Sequence, residues 1–486
     1  MCLPRSRNTS ICLSSSKGGS WIEFCFPLEM KRQSSRPYKV ALFSPMPPVR
    51  SGISDYSMEL CSRLSEEVEL DIYIDDYQPD PPSLEGKVRF YPAGEFVWRN
   101  FQHPYHINIY QMGNNTYHGY IYPFVFQYPG ILVLHDYILH HFRFKMLCEE
   151  GRLTDYFAEM QYCHPPKGLL LAKMVANHMG SRLIRFTFPL NKLPIEASLM
   201  TMVHNPYVKE IVLEENPTAT VAEVSMGVPL VEPDSQLMKT LRERHRIGDN
   251  ELILASFGMV TPEKGIVSIL KVLKKIAAEF PQVRYLIVGE RGEEFNIDLL
   301  CKKLGLSQRV TITGFVTREE FFNYIAISHI GINLRYPTAR ETSATLLRIM
   351  AMGKPMLTSD LLHLSDLPDD IVMKIPVVDE EKALYTSLRQ LIKNPQLREK
   401  LGSEGLRFVK EKHSLEGMSQ EYLRCLKKGI ELKKRISIDR SHFPPHLRNG
   451  EEVIKSDLKK ALAELHLSYD DIPQDMKAEI ERIFRM

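Results

Sequence analysis

Apolar positions along this chain fall into two successive series of short strand-like runs, each followed by a loop and then by apolar residues at helical spacing. The first series opens with VALFSP (residues 40–45), the loop MPPVRSG and a helical pattern from Ile53 to Leu64. Strand-like runs follow at LDIYI (70–74), VRFYP (88–92), INIYQM (107–112) and ILVLH (131–135), then at LMTMVH (199–204) and ATVAEVSMGV (219–228). Residues 142–200 read as mixed helices. The second series starts at ELILASFG (251–258) and continues through a helix from Ile266 to Phe280, VRYLIVG (283–289), a helix near Leu299 and VTITGF (310–315). A helix from Glu319 to Ser328 and an apolar run from Ile330 to Leu334 complete it. Strand and helix in alternation predict α/β architecture with two doubly wound parallel sheets. The charged stretch from Pro233 to Asn250 is the expected linker.

In such sheets ligands gather beyond the carboxyl ends of the strands, so residues there become candidates. Gly52 follows the first strand in a Pro- and Gly-rich loop; a plain βα turn and a close approach to an anion explain it equally well. Gly113-Asn114-Asn115 and His135-Asp136 also stand at strand ends. His140 and His141 lie near His135, but the spacing does not bring all three rings to one face, which makes a metal site a minority reading. Lys264 opens a helix beyond a strand end and would neutralise a diphosphate there; taken alone, a solvated helix entry explains it better. The stretch RYPTARETSATLLRIMAMGKPMLTSD (335–360) is loop, helix, stop, strand. It carries one carboxylate, Glu341, with Thr342 and Ser343 to cap the helix and Gly353 and Pro355 to end it.

Length and composition narrow the class. At 486 residues the chain is too long for one compact core, so two domains are expected. With 62 Lys+Arg against 60 Asp+Glu there is no basic excess that would argue for nucleic acid. The eight cysteines are scattered without a C-x-x-C, which suits reduced thiols in a cytoplasm. The longest apolar run, near Tyr120 to Leu134, is broken by Pro123, Gln127, Pro129 and Gly130 and does not read as a membrane span. Residues 1–29 lack a continuous apolar core, and a disordered or mis-assigned start before Met30 is expected rather than a signal peptide. Dinucleotide (G-x-G-x-x-G), P-loop and H-E-x-x-H signatures are missing, as is any D-x-D triplet, so a bound diphosphate would have to be held by backbone amides and Lys or Arg. A smaller reading of the Lys/Arg- and Leu-rich helices in 142–200 is a basic amphipathic surface touching a lipid-linked acceptor.

The ordered set SPMPPVRSGISDYS (44–57), VLHD (133–136), FGMVTPEKG (257–265), GFV (314–316) and the 335–360 stretch resembles a retaining glycosyltransferase of the GT-B fold, family 4 (glycosyl transferases group 1). It is similar to the branch whose last motif reads like GETSG, over roughly Lys39 to Lys427. The resemblance implies a cytoplasmic, metal-independent enzyme, peripheral at the inner membrane face in one variant. It would move a hexose from a UDP- or GDP-sugar to a hydroxyl acceptor: a polysaccharide, a lipid-linked molecule or a small molecule. No cofactor besides the nucleotide-sugar co-substrate is implied, and no oligomeric state.

Carried onto this chain, the resemblance gives catalytic roles to His135, near the transferred sugar, to Lys264, on the departing diphosphate, and to Glu341, on donor-sugar hydroxyls. Gly52, Asp136, Gly258, Phe315, Thr342, Ser343, Ala344 and Arg348 fall on the donor side, and Asn114, Asn115 and His140 are acceptor-side candidates. The implied domains are an extension (1–37), an acceptor-side domain (38–232), the linker (233–250) and a nucleotide-sugar domain (251–410). A crossover helix (411–430) and a helical tail (431–486) follow. Four positions depart from the pattern. Met259 stands where an Arg usually follows the Gly. Ile349 stands where a second, ribose-binding Glu is usual, beside an Arg348 that would meet a phosphate or pair with Glu341. Thr342 and Ala344 replace glycines. These departures motivate the alternative of a degenerate GT-B protein that binds a nucleotide or a partner without transfer.

Overall fold

The computed structural model describes residues 38–80, 84, 86–292, 296–448, 462, 468 and 471–478. The extension 1–37 and most of the tail expected to form two short helices lie outside the described residues.

Seven strands form the first sheet: β1 (Lys39–Phe43), β2 (Glu69–Ile74), β3 (Arg89–Pro92), β4 (Ile107–Met112), β5 (Ile131–Leu134), β6 (Met200–Val203) and β7 (Val221–Glu223). Their order is β3-β2-β1-β4-β5-β6-β7. The second sheet has β8 (Leu252–Phe257), β9 (Val283–Val288), β10 (Val310–Ile312), β11 (Ile330–Asn333), β12 (Met356–Ser359) and β13 (Met373–Ile375), ordered β10-β9-β8-β11-β12-β13. Every pairing is parallel; Val40, for example, lies opposite Leu70 on one side and Ile107 on the other. The central strands INIYQM and LILASF are buried at every position, as strands covered by helices on both faces must be. One apolar core cluster draws on both domains, including Val40, Leu42 and Ile109 from the first sheet and Ile253, Ala255 and Ile349 from the second region.

Strand order sets where ligands go. In the first sheet the chain winds outward from β1 to β3, then returns to place β4 on the other side of β1; β8 and β11 repeat this in the second sheet. Loops leaving the carboxyl ends at these two switch points diverge and open a crevice. Those loops are residues 44–51, 113–115, 258–265 and 334–343, the segments that flank or carry most of the candidate residues.

The expected linker holds a helix, Ser235–Arg244, which belongs to the second domain. Its flanks are tied there: Asp234 N–H donates to Asn323 Oδ1 (2.8 Å), and His245 Nε2 is 2.7 Å from the Tyr324 hydroxyl. The strand β13 and the helix Glu380–Lys393 were not foreseen. Two further helices follow, Pro395–Lys412 and Leu415–Lys433. The second lies on the first domain, where Tyr422 and Tyr56 hydroxyls meet at 2.8 Å and Lys433 Nζ donates to the Tyr105 carbonyl at 2.9 Å. Beyond it, Arg440 donates to the Gln127 carbonyl (2.9 Å) and a fully buried Phe443 packs edge-on to Phe126, strapping this Pro-Pro-broken segment onto the same domain. Among the described residues, no helix is long and apolar enough to cross a membrane.

Candidate functional site

The loop after β11 is built around Glu341. Its Oε1 forms an ion pair with Arg335 and its Oε2 accepts from Thr338 Oγ1 at 2.7 Å. Three ties hold this loop to the first domain. Ile138 N–H donates to the Ala339 carbonyl (3.2 Å), the Arg340 guanidinium lies 4.7 Å over the Tyr137 ring, and Asn205 Nδ2 donates to Thr342 Oγ1 (3.1 Å). Arg340 has φ +62°, a left-handed conformation that costs a side-chain-bearing residue free energy and persists only where neighbours enforce it. Ser343 caps the helix Ala344–Ala351 by accepting from Leu346 N–H at 3.3 Å. Thr342, Ser343 and Ala344 thus form its N-terminal edge, where backbone N–H groups lack intrahelical acceptors.

Lys264 and Asp136 reach the same region from two other strand ends. Gly258, just past β8, has φ +87°, and a Cβ there would lie 2.6 Å from Lys264 Nζ, so glycine leaves room for the ammonium. Lys264 Nζ donates to the Phe257 carbonyl at 2.8 Å. Burial and then the Arg335 charge push Lys264 down to about 7, against the pull of Glu341. Asp136, past β5, accepts from Asn114 N–H at 2.7 Å; burial and then the Glu341 charge push its carboxyl up to about 7. Burial raises Glu341 too, but Arg335 and the Thr338 hydroxyl outweigh it and hold the carboxyl below its ordinary value. Asp136, Lys264, Arg335 and Glu341 therefore form one electrostatic cluster drawn from both sheets. A Cβ on Gly113 would collide with Ile53 Cδ1 (2.3 Å) and sit 3.2 Å from Asp136 Oδ2, so glycine there brings the β4 loop and the first helix up to Asp136.

The histidines separate. His135 is 7% exposed, and its Nε2 is 2.6 Å from Gln111 Oε1. Gln111 Nε2 donates weakly to the Tyr422 hydroxyl (3.4 Å), and Tyr56 packs edge-on against the His135 ring. Burial, and then His204, hold His135 well below its ordinary value, so it is a neutral imidazole. His140 corrects an expectation. It is fully buried, Nδ1 meets the Phe188 carbonyl (2.7 Å) and Nε2 the Tyr156 hydroxyl (2.8 Å), so it offers no atom to an acceptor. Asn114 and Asn115 work locally: Asn114 Oδ1 accepts from Phe142 N–H (3.0 Å) and Asn115 Oδ1 from Tyr117 N–H (3.0 Å).

Beside the cluster lies a cleft of about 590 Å³, lined by Gly52 and Asp55 from the first domain and by Gly258, Phe315, Arg318 and Arg348 from the second. Arg50 stacks on the Phe315 ring at 3.9 Å and lies 3.8 Å from Glu290. Arg348 does not pair with Glu341. Its Nη2 donates to both oxygens of Glu59 (3.0 and 2.9 Å), and Arg318 Nη2 donates to Glu59 Oε1 (2.8 Å). Arg348 and Glu59 are 7% and 3% exposed and pair between the domains, with the partly exposed Arg318 at their edge. Ile349, at the position of the usual second carboxylate, is fully buried in the core. Met259 is half-exposed and lines the cleft. The reading of single motifs missed Asp55, Glu59 and Arg318. Asp55 and Glu59 stand four apart on one helix, a spacing that puts two carboxylates on one face, though nothing local names their partners. Among the described residues no group of three His, Cys, Asp or Glu is placed to hold a metal ion.

Two facing Rossmann-like domains with a helix crossing back define the GT-B fold, and solved structures agree. A glycosyltransferase from Rickettsia africae superposes with a TM-score of 0.59 at 14% identity, over 82% of this chain and all of that one. Anabaena HepE, crystallised with UDP-glucose, gives 0.56 at 14% identity over 80% of this chain and 99% of that one. Residues 238–408 match the family model described as Glycosyl transferases group 1, so the second domain is a glycosyl transferases group 1 domain. Among curated proteins, the chain is 25% identical to alpha-D-kanosaminyltransferase of Streptomyces kanamyceticus over 36% of its own length and 45% of that relative. It is 24% identical to alpha-monoglucosyldiacylglycerol synthase of Streptococcus pneumoniae over 35% and 38%. The chain thus matches less than half the length of either.

Proposed function

We propose that this protein is a retaining, metal-independent glycosyltransferase of the GETSG-like branch of family 4, moving a hexose from a UDP- or GDP-sugar to a hydroxyl acceptor. The observation that carries this reading is the convergence of Lys264, Arg335, Glu341 and Asp136 from facing switch points, next to a cleft of nucleotide size. The group 1 domain, the UDP-glucose bound by HepE and the names of both curated relatives support it.

In this reading the diphosphate lies against Lys264 and Arg335, with Gly52 and the amides of Thr342, Ser343 and Ala344 close by. Glu341 accepts hydrogen bonds from sugar hydroxyls and fixes the ring. The anomeric carbon–diphosphate bond breaks on the same face on which the bond to the acceptor oxygen forms, and the acceptor proton passes to a departing diphosphate oxygen. The protein contributes orientation and charge stabilisation of the oxocarbenium-like state. Burial lowers Lys264 to about 7, and a diphosphate beside it favours the charged form, so its full charge appears when the leaving group needs it. His135 stays neutral at the sugar end, buttressed by Gln111. The protein is expected to work in the cytoplasm, with a polysaccharide, a lipid-linked molecule or a small molecule as acceptor.

Incubation with UDP- and GDP-hexoses and mixed acceptors, with and without chelator, tests the proposal: nucleotide release and a product of retained anomeric configuration are expected in both conditions. A second reading, binding without transfer, is favoured by the pairing of Arg348 with Glu59 and by Met259. Nucleotide binding with no turnover of any donor would select it.

A further inference from the structure

The first-domain wall of the cleft carries a carboxylate that the site chemistry does not use. On the helix Gly52–Glu67, Gly52 and Asp55 both line the cleft and stand one turn apart. Glu59, one turn further along, is taken up by Arg348. Asp55 differs from it: among the described residues, no N–H or O–H donates to its half-buried carboxylate. Burial raises this carboxyl, and the charges of Arg348 and then Arg318 pull the other way. Across the cleft, the helix Ala344–Ala351 presents Thr345 and Arg348. Its Ile349 turns to the strand behind, where a Cβ on Gly331 would lie 2.9 Å from Ile349 Cγ2, so this helix brings no carboxylate to the cleft. Glu290, which also lines the cleft, is 54% exposed and lies 3.8 Å from Arg50.

The charges around Asp55 select what it can hold. Its own charge repels a phosphate, and the two guanidiniums near it repel a cation. Neutral donors satisfy both, and a pair of hydroxyls suits a carboxylate, which accepts through both oxygens and is a common partner of ribose hydroxyls. We propose that Asp55 holds the ribose hydroxyls of the donor nucleotide, one helical turn beyond Gly52 in the cleft. The inference rests on the transferase reading, in which the diphosphate lies by Gly52; phosphate and then ribose along this helix is the order in which a nucleotide is joined. The donor is therefore a ribonucleotide sugar, and a deoxyribonucleotide sugar is disfavoured because it leaves the Asp55 carboxylate short of a donor.

Calorimetric titration of the full chain with UDP, GDP and their 2′-deoxy and 3′-deoxy forms tests this. The wild type should bind its preferred ribonucleotide at least ~10-fold tighter than the deoxy forms. Asp55→Ala should erase that preference, weakening the ribonucleotide roughly 10-fold and leaving the deoxy forms within about 2-fold of wild type. Asp55→Asn, which keeps the shape and one acceptor oxygen, should fall between, and Glu290→Ala should keep the preference. Asp55 is only half-buried, so both of its variants should melt with the wild type. Equal wild-type affinity for ribo and deoxy forms overturns the inference and leaves the transferase reading standing. So does a parallel loss for both forms in Asp55→Ala, or a preference lost in Glu290→Ala instead. A wild type that binds none of these nucleotides defeats the transferase reading, and this inference with it.

Discussion

Two charged groups bridge the domains, and they differ in how far their charges are paired. At Glu59 a nearly unexposed carboxylate accepts from the buried Arg348 and from a partly exposed Arg318, while the Arg348 Nε is buried without a hydrogen-bond partner. At Glu341 the carboxylate is shared between Arg335 and Thr338, while Lys264 contacts only a carbonyl and Asp136 is held near its titration point. A carboxylate taken up by two guanidiniums organises architecture; a cluster with displaced titrations is what a ligand completes. The comparison also assigns Arg348 to the first group, although its motif places it beside Glu341 in sequence.

The largest expected effect breaks the Glu59 group. Glu59→Ala leaves a buried Arg348 uncompensated and should cost about 3–5 kcal/mol of unfolding free energy in denaturant titration. Replacing Glu59 and Arg348 together with Leu and Met should recover most of that. If the single variant is as stable as wild type, the pairing is incidental.

Next, Glu341→Ala should lower kcat/KM by about 2 kcal/mol or more, roughly 30-fold, because it removes charge-assisted hydrogen bonds to the sugar. Donor KM should rise in Lys264→Met, which keeps the packing and loses the cation.

A subtler contrast is in pH. The folded Asp136 binds its proton up to about 7 against an ordinary 3.8, so its contribution to stability is present at low pH and is lost as pH rises between those values. Lys264 in the folded state releases its proton near 7 against an ordinary 10.5; from about 7 to 10.5 the unfolded chain binds more protons, and stability gains as pH rises. Together they place a minimum near neutrality. Asp136→Asn should flatten its acid side and Lys264→Met its alkaline side in denaturation curves across pH; equal slopes in wild type and variants would contradict both assignments. Smallest of all, Arg50→Ala, which removes an exposed ion pair with Glu290, should change stability by no more than about 1 kcal/mol.

Much of the fold was legible because buried parallel strands are continuous apolar runs, and INIYQM and LILASF admit few other readings. The helix Ser235–Arg244 was missed for the converse reason: only Leu241 is buried in it, and polar contacts do much of its docking. At the site, strand-end position marked Asp136 and Lys264 as candidates, but the solvated helix entry preferred for Lys264 gives way to an ammonium turned back onto the Phe257 carbonyl, and His140 turns inward one helix later. The Glu59–Arg348 pair joins residues 289 apart, and no local pattern encodes such a distance.

The most direct measurement of the central claim is kcat/KM for nucleotide release from the preferred donor, compared between wild type and Glu341→Ala at equal folded fraction. A loss of roughly 30-fold or more is predicted. An unchanged value would mean that the Lys264–Arg335–Glu341–Asp136 cluster is not where the donor sugar is held.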